Sequence, residues 1–94
     1  MGARARFDTA TSYVQTCLGP RLPGGVYVNG SAQRTHEVVA VYCGDDARAE
    51  LGGAPVDWVI AVIDLEGGEL DGQVRMDRTA WDSARDYVIF DPAR

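Results

Sequence analysis

The sequence predicts one small α+β domain spanning residues 1–94, built on a four- or five-stranded sheet that is mixed or mainly antiparallel. Its 94 residues suffice for one modest hydrophobic core. One early segment repeats apolar residues at helical spacing, whereas several later segments are β-branched or alternate with a period of two. We therefore expect two or three helices against the sheet, in the order α-β-β-α-β-β-α-β.

The segment FDTATSYVQTCLGP predicts the clearest helix. Asp8 is suited to cap its N-terminus, and Gly19 followed by Pro20 is suited to end it. The apolar residues fall at i, i+3, i+4, i+7 and i+8 and form one stripe: Ala10, Tyr13, Val14, Cys17 and Leu18.

A hairpin is expected next. Val26–Asn29 predicts a short strand, Asn29-Gly30 provides a turn signal, and Glu37–Cys43 predicts a second strand. Strict alternation would place Val39, Val41 and Cys43 on one face of the second strand and Val38, Ala40 and Tyr42 on the other. Because both faces are apolar, this strand is expected to lie inside the sheet.

The segment GDDARAELGG predicts a short helix that Asp45 could cap and that Gly52-Gly53 would end. Val56–Leu65 predicts the strongest strand, apolar on both faces. The β-α-β unit from Glu37 to Leu65 could form a parallel pair through a right-handed crossover, although the connection has the minimum length for one.

The rest of the chain predicts a turn at EGGELDG, an edge strand at Gln73–Asp77 and a closing strand at Tyr87–Phe90. Between these strands, Thr79 and Asp82 match a helical capping box, which favours a third helix.

Composition excludes several kinds of chemistry. All nine basic residues are arginine, so no lysine Schiff base or phosphate-binding lysine can operate. The chain lacks a basic footprint for direct contact with nucleic acid and an apolar run of about 20 residues for crossing a membrane. No apolar signal segment follows Arg4 and Arg6, so we expect a soluble cytoplasmic protein.

The cysteines and the single histidine do not form a metal-binding pattern, and no cofactor is expected. Cys17 and Cys43 are expected to be buried free thiols. His36 is expected to be a solvated residue at a strand end. Strand parity places Cys43 on the opposite face from His36, about 23 Å away at about 3.3 Å per residue, which excludes a dyad of these two residues. A small enzyme using His36 or Cys17 stays an alternative.

The net charge of −5 arises entirely from Asp57–Arg94, where nine acids face four arginines. One interpretation is a solvated face that maintains solubility. The functional hypothesis is a non-enzymatic interaction module that binds a basic, nucleic-acid-handling protein as an inhibitor, of the anti-defence or immunity-protein type. Trp58 and Trp81 are expected to be core residues. The predicted partner-binding residues are acids of the second part of the chain: Asp64, Glu66, Glu69, Asp71, Asp77, Asp82 and Asp86.

Two further possibilities concern the end of the chain. The segment DYVIFDPAR, Asp86–Arg94, resembles the closing strand of some phage-encoded ADP-ribosyltransferase-like domains, which suggests a phage or mobile-element accessory protein. The resemblance spans nine residues and includes no catalytic residue. Alternatively, Val74 and Met76, or the Tyr87–Phe90 strand, could pair across a two-fold axis in a homodimer.

Overall fold

The computed structural model describes residues 12–65 and 72–94. The described strands are β1 (Val26–Asn29), β2 (Arg34–Cys43), β3 (Trp58–Asp64), β4 (Val74–Asp77) and β5 (Tyr87–Phe90). They form one antiparallel sheet in the order β4-β3-β2-β1-β5. The helices are α1, described over residues 12–18, and α2 (Asp45–Glu50). The α+β class is confirmed.

Helix α1 lies against the sheet with Val14 and Cys17 buried. Tyr13 is 60% exposed, so its predicted place in the apolar stripe is wrong. The helix ends as predicted at Gly19, whose φ of 61° is the left-handed conformation that glycine adopts without strain. Two predicted residues of this helix lie outside the described residues: Asp8 and Ala10.

The predicted hairpin is confirmed, with β1 and β2 paired from Val26–Glu37 to Asn29–Arg34. Strand β2 begins at Arg34, three residues earlier than predicted. The backbone N–H of Ala32 donates to the Asn29 side-chain oxygen at 3.1 Å. Asn29 therefore stabilises the loop through its side chain, which is the usual reason for asparagine in a turn.

Strands β2 and β3 are antiparallel, so the predicted parallel pair is wrong. The connection contains only six helical residues, and Gly44 N–H donates to the Asp57 carbonyl at 2.8 Å, which brings the two strand ends together. A segment this short reverses the chain instead of returning it to the far end of the sheet. Helix α2 begins after Gly44 rather than at an Asp45 cap.

One extra residue interrupts the alternation of β2. Val38 pairs with Val62, whereas Ala40 pairs with Ala61, so that Val39 and Ala40 together oppose one residue. This β-bulge reverses the face on which every later residue of β2 lies. The predicted division of β2 into two regular faces is therefore wrong beyond Val38.

The predicted third helix is absent, because residues 78–82 lack regular structure and residues 83–85 form a turn. The Asp82 carboxylate accepts from Ala84 N–H at 3.0 Å, and the Asp86 carboxylate accepts from Asp82 N–H at 2.8 Å. These side-chain bonds satisfy backbone groups that a helix would otherwise pair, which favours the turn.

The main core lies between α1 and one face of the sheet, which we call the covered face. Trp81, from the β4–β5 connection, packs against this core as predicted, and Trp58 is within it. A smaller cluster under α2 occupies the end of the opposite face. No helix of the described residues is long and apolar enough to cross a membrane. The buried residues of the main core are Val14, Cys17, Tyr27, Val38, Trp58, Ile60 and Val62.

Candidate functional site

His36 is buried on the covered face, with 1% of its surface exposed. The expectation of a solvated strand-end histidine is wrong. Strand β2 begins two residues earlier than His36, and its neighbours β1 and β3 supply Tyr27 and Asp64 as direct cross-strand partners. The histidine is therefore an interior residue of the sheet.

His36 and Tyr27 form a contact whose ring centroids are 5.3 Å apart. Burial lowers the pKa of His36 and raises that of Tyr27. The Arg75 guanidinium also lowers the His36 pKa, and the Asp64 and Asp77 carboxylates partly offset this effect. His36 is consequently neutral at pH 7. Within residues 12–65 and 72–94, its Nδ1 and the Tyr27 hydroxyl have no hydrogen-bond partner.

Arg21 joins α1 to the β4–β5 connection and is only 4% exposed. Its guanidinium donates to the Cys17 carbonyl at 2.7 Å, to the Leu18 carbonyl at 2.8 Å and to the Thr79 carbonyl at 2.9 Å. Two of these acceptors are carbonyls at the end of α1, where the helix itself supplies no donors; the Cys17 carbonyl also accepts from Trp81 N–H at 2.8 Å. Arg21 lies in the predicted connector after α1, and its position beside a helix C-terminus is the sequence signal for binding these carbonyls.

Three aromatic rings surround the Arg21 guanidinium. Its central carbon lies 5.3 Å from the ring centroid of Tyr27 and 5.7 Å from those of Trp58 and Trp81. The charge is thus stabilised by ring faces as well as by carbonyl oxygens. These contacts hold α1, the sheet and the β4–β5 connection together, which identifies Arg21 as a structural residue.

The two cysteines are free thiols, Cys17 buried and Cys43 exposed, so the prediction holds for Cys17 and is wrong for Cys43. The bulge in β2 also overturns the parity prediction, because Cys43 pairs with Trp58 and shares the covered face with His36. Burial and Asp46 raise the pKa of the Cys43 thiol, which disfavours the reactive thiolate.

Two grooves border helix α1 and the edge strand β5. One, of about 500 Å³, runs along the C-terminal end of α1 from Gln15 to Pro23, and the other, of about 590 Å³, lies between Trp81 and Phe90. Neither groove is lined by His36 or Cys17. No group of three His, Cys, Asp or Glu side chains within residues 12–65 and 72–94 is arranged to hold a metal ion.

The predicted acidic residues do not form one exposed surface in the described residues. Asp64 accepts from Arg34 at 2.8 Å. Asp77 is 7% exposed and accepts from Thr79 N–H at 2.6 Å. Asp86 accepts from the N–H groups of Gly30 and Asp82. Three other predicted residues lie outside the described residues: Glu66, Glu69 and Asp71.

The face of the sheet opposite α1 exposes most of the large apolar side chains that are accessible to solvent. Seven of the nine exposed large hydrophobic residues in the described chain belong to this face. Four of them pair with residues of this face, two are the extra residues at register shifts in β2 and β5, and one follows Asp64, which lies on the covered face. The other two, Tyr13 and Leu22, lie on α1 and in the connector after it. We call the surface formed by the seven the open face: Val39, Leu65, Val74, Met76, Tyr87, Ile89 and Phe90.

Strand β4 shows most directly that the open face is unusual. Its apolar residues Val74 and Met76 are 54% and 37% exposed, whereas Asp77 on its other side is buried. This arrangement is the reverse of an ordinary half-exposed edge strand, in which the apolar side faces the core. Helix α2 covers only the end of this face, near Tyr42 and Val59.

Val74, Met76 and Tyr87–Phe90 are predicted from the sequence only as edges for strand pairing, and no surface role is predicted for Val39 or Leu65. The signals in the sequence that could have identified this face were the alternation in β4 and the four consecutive apolar residues of β5. No protein-family model, no curated protein and no solved structure matches the chain. The open face is therefore the candidate functional site on physical grounds alone.

Proposed function

We propose that the protein is a non-enzymatic interaction module that binds a basic partner protein through the open face. The proposal is supported by the placement, on one face of the sheet, of seven of the nine large hydrophobic residues that are exposed in the described part of the chain. Apolar surface concentrated in this way is costly to leave in water and marks interaction sites on soluble proteins. Aromatic and methionine side chains such as Tyr87, Phe90 and Met76 are also enriched at such interfaces.

The net charge of the chain favours one kind of binding partner for the open face. The chain carries −5 at pH 7, so a basic partner is attracted to it, whereas a second copy of the chain carries the same charge and is repelled. Proteins that handle nucleic acid have basic surfaces, and we propose this class, with the chain acting as an inhibitor, as the narrower form of the function.

We expect the acids predicted from the sequence to attract the basic partner electrostatically and so to speed its association. Reversal of Asp64, Glu66, Glu69 and Asp71 to arginine should slow association with the partner and weaken its dependence on salt. Measurement of association rates at two salt concentrations tests this role, and unchanged rates would exclude it. Asp77 is not expected to contribute to this attraction, because its carboxylate is buried.

The central experiment compares wild type with a triple variant of the open face, Val74→Ser, Met76→Ser and Phe90→Ser. The matched control carries Tyr13→Ser and Leu22→Ser, which remove two exposed apolar side chains that lie away from the open face. Each protein is used to capture binders from lysate, and a captured protein is then purified and its Kd measured directly.

We expect one basic protein to bind wild type and the control with equal Kd, and to bind the open-face variant at least about tenfold more weakly, as for the loss of interface anchors. Equal binding to the open-face variant, or equal weakening by the control, would contradict the proposed function. Circular dichroism of all three proteins confirms that they remain folded.

A further inference from the structure

Glu37 lies near the middle of the open face. It pairs with Val26 of β1 on one side and with Ile63 of β3 on the other. Val26 in turn pairs with Phe90 of β5, and Ile63 with Val74 of β4. One transverse row therefore crosses all five strands, with a carboxylate at its centre and apolar side chains on both sides.

This carboxylate differs from the other acids of the sheet. Asp64 pairs with Arg34, and Asp77 binds Thr79 N–H and lies 3.5 Å from Arg75. Glu37 is half-buried, and no hydrogen bond or ion pair to it occurs among the described residues, seven of which are arginines. The sheet thus satisfies its neighbouring acids internally and leaves Glu37 with its acceptor capacity available.

The position of Glu37 sets a condition on any partner that covers the open face. An apolar surface placed over the row would remove water from the carboxylate without supplying a donor, which is unfavourable. A partner that brings a cationic donor to this point avoids that penalty, and partners without one are selected against. Arginine suits the site, because its guanidinium is weakly hydrated and can bind a carboxylate through two N–H groups while its stem packs on apolar neighbours.

We infer that Glu37 determines partner specificity by binding an arginine side chain that projects from an apolar contact surface of the partner. This inference rests on the proposed function of the open face and adds the identity of the recognised group. It also accounts for discrimination against self-association, since two open faces in contact would bring two unpaired carboxylates into one apolar interface.

The test uses a displayed library of random twelve-residue peptides selected on immobilised wild-type protein. Enriched peptides are then measured against Glu37→Gln, against Glu50→Gln as a matched control on the exposed side of α2, and against the triple open-face variant. Each peptide is also synthesised with its arginine replaced by glutamine.

We expect enriched peptides to combine apolar residues with a central arginine. Glu37→Gln should weaken their binding about tenfold, since a partly exposed charge pair contributes less than a fully buried one, whereas Glu50→Gln should not. Replacement of the peptide arginine should weaken binding to wild type similarly but add little on the Glu37→Gln background.

Two other outcomes are distinguishable. Enriched peptides that lack a basic residue, bind Glu37→Gln as well as wild type and fail on the open-face variant would overturn the inference and leave the proposed function standing. A selection in which no peptide distinguishes wild type from the open-face variant would overturn the proposed function, and the inference with it.

Discussion

At the scale of single residues, Arg21 is a buried charged group whose donors and positive charge are both matched by neighbouring groups. Its donors bind three carbonyl oxygens, and three aromatic rings replace the water that it gives up. Removal of the guanidinium would break all three hydrogen bonds, and only the Cys17 and Leu18 carbonyls would keep a backbone donor, from Trp81 N–H and Arg21 N–H. The lost bonds lie at a buried position, where an unmade hydrogen bond is costly.

Arg21→Met should therefore lower the free energy of unfolding by about 3 kcal/mol, because the methionine keeps the packing volume but supplies no donor. The matched control is Arg78→Met. Arg78 also lies over the Trp58 ring, at 5.3 Å, but its side chain is exposed and donates to one carbonyl. Its loss should cost less than about 1 kcal/mol. Urea unfolding of both variants measures the difference, and equal losses would contradict the structural role of Arg21.

His36 makes stability depend on pH in a defined direction. Its pKa in the folded protein is lowered from 6.5, mainly by burial and also by Arg75. The unfolded chain therefore binds the proton more readily, so this residue's contribution to stability is present above pH 6.5 and is lost as the pH falls toward the folded pKa.

His36→Phe removes this titration while keeping a ring against Tyr27. We expect the free energy of unfolding of wild type to fall, relative to the variant, as the pH is lowered from 7.5 to 5. Thermal unfolding across this range tests the effect. Parallel curves for the two proteins would show that His36 does not titrate differently on folding.

At the scale of elements, the loop between β1 and β2 is in direct contact with the β4–β5 connection. Gly30 N–H donates to the Asp86 carboxylate at 2.9 Å, and a Cβ atom at residue 30 would overlap the Arg85 carbonyl. Asn29-Gly30 is thus more than a turn signal, because the glycine makes room for another part of the chain.

Gly30→Ala should destabilise the protein by about 1–3 kcal/mol, the usual cost of overpacking at a tight contact. Ser31→Ala, at the exposed neighbouring position, should change the stability by less than about 0.5 kcal/mol. Chemical denaturation of both variants provides the comparison. Equal stability of Gly30→Ala and Ser31→Ala would exclude the contact between the loop and the connection.

At the scale of the whole molecule, the two faces of the sheet are covered unequally. Helix α1 and the β4–β5 connection cover one face, whereas α2 reaches only the end of the other. The open face is consequently accessible to another molecule, and we expect Glu37 together with the net charge of −5 to oppose association between identical copies.

Glu37→Leu should convert the central row into continuous apolar surface and promote self-association. Wild type and the control Glu50→Leu should sediment as monomers at micromolar concentrations, whereas Glu37→Leu should form larger species as its concentration rises. Sedimentation velocity measures this directly. A wild-type dimer would favour pairing of edge strands in a homodimer, the alternative considered from the sequence, and identical behaviour of the two leucine variants would contradict the role of Glu37.

The sequence alone determined the α+β class, the approximate positions of the five strands and the C-terminal ends of both helices, because these depend on local periodicity and on turn residues such as Asn29 and Gly19. It also determined the absence of lysine chemistry. Only the tertiary structure decided that His36 is buried, that Arg21 joins three elements and that Glu37 lies on an apolar open face. Burial depends on which distant segments cover a face, and one extra residue at Val39 reverses the side assignment of all later residues in β2.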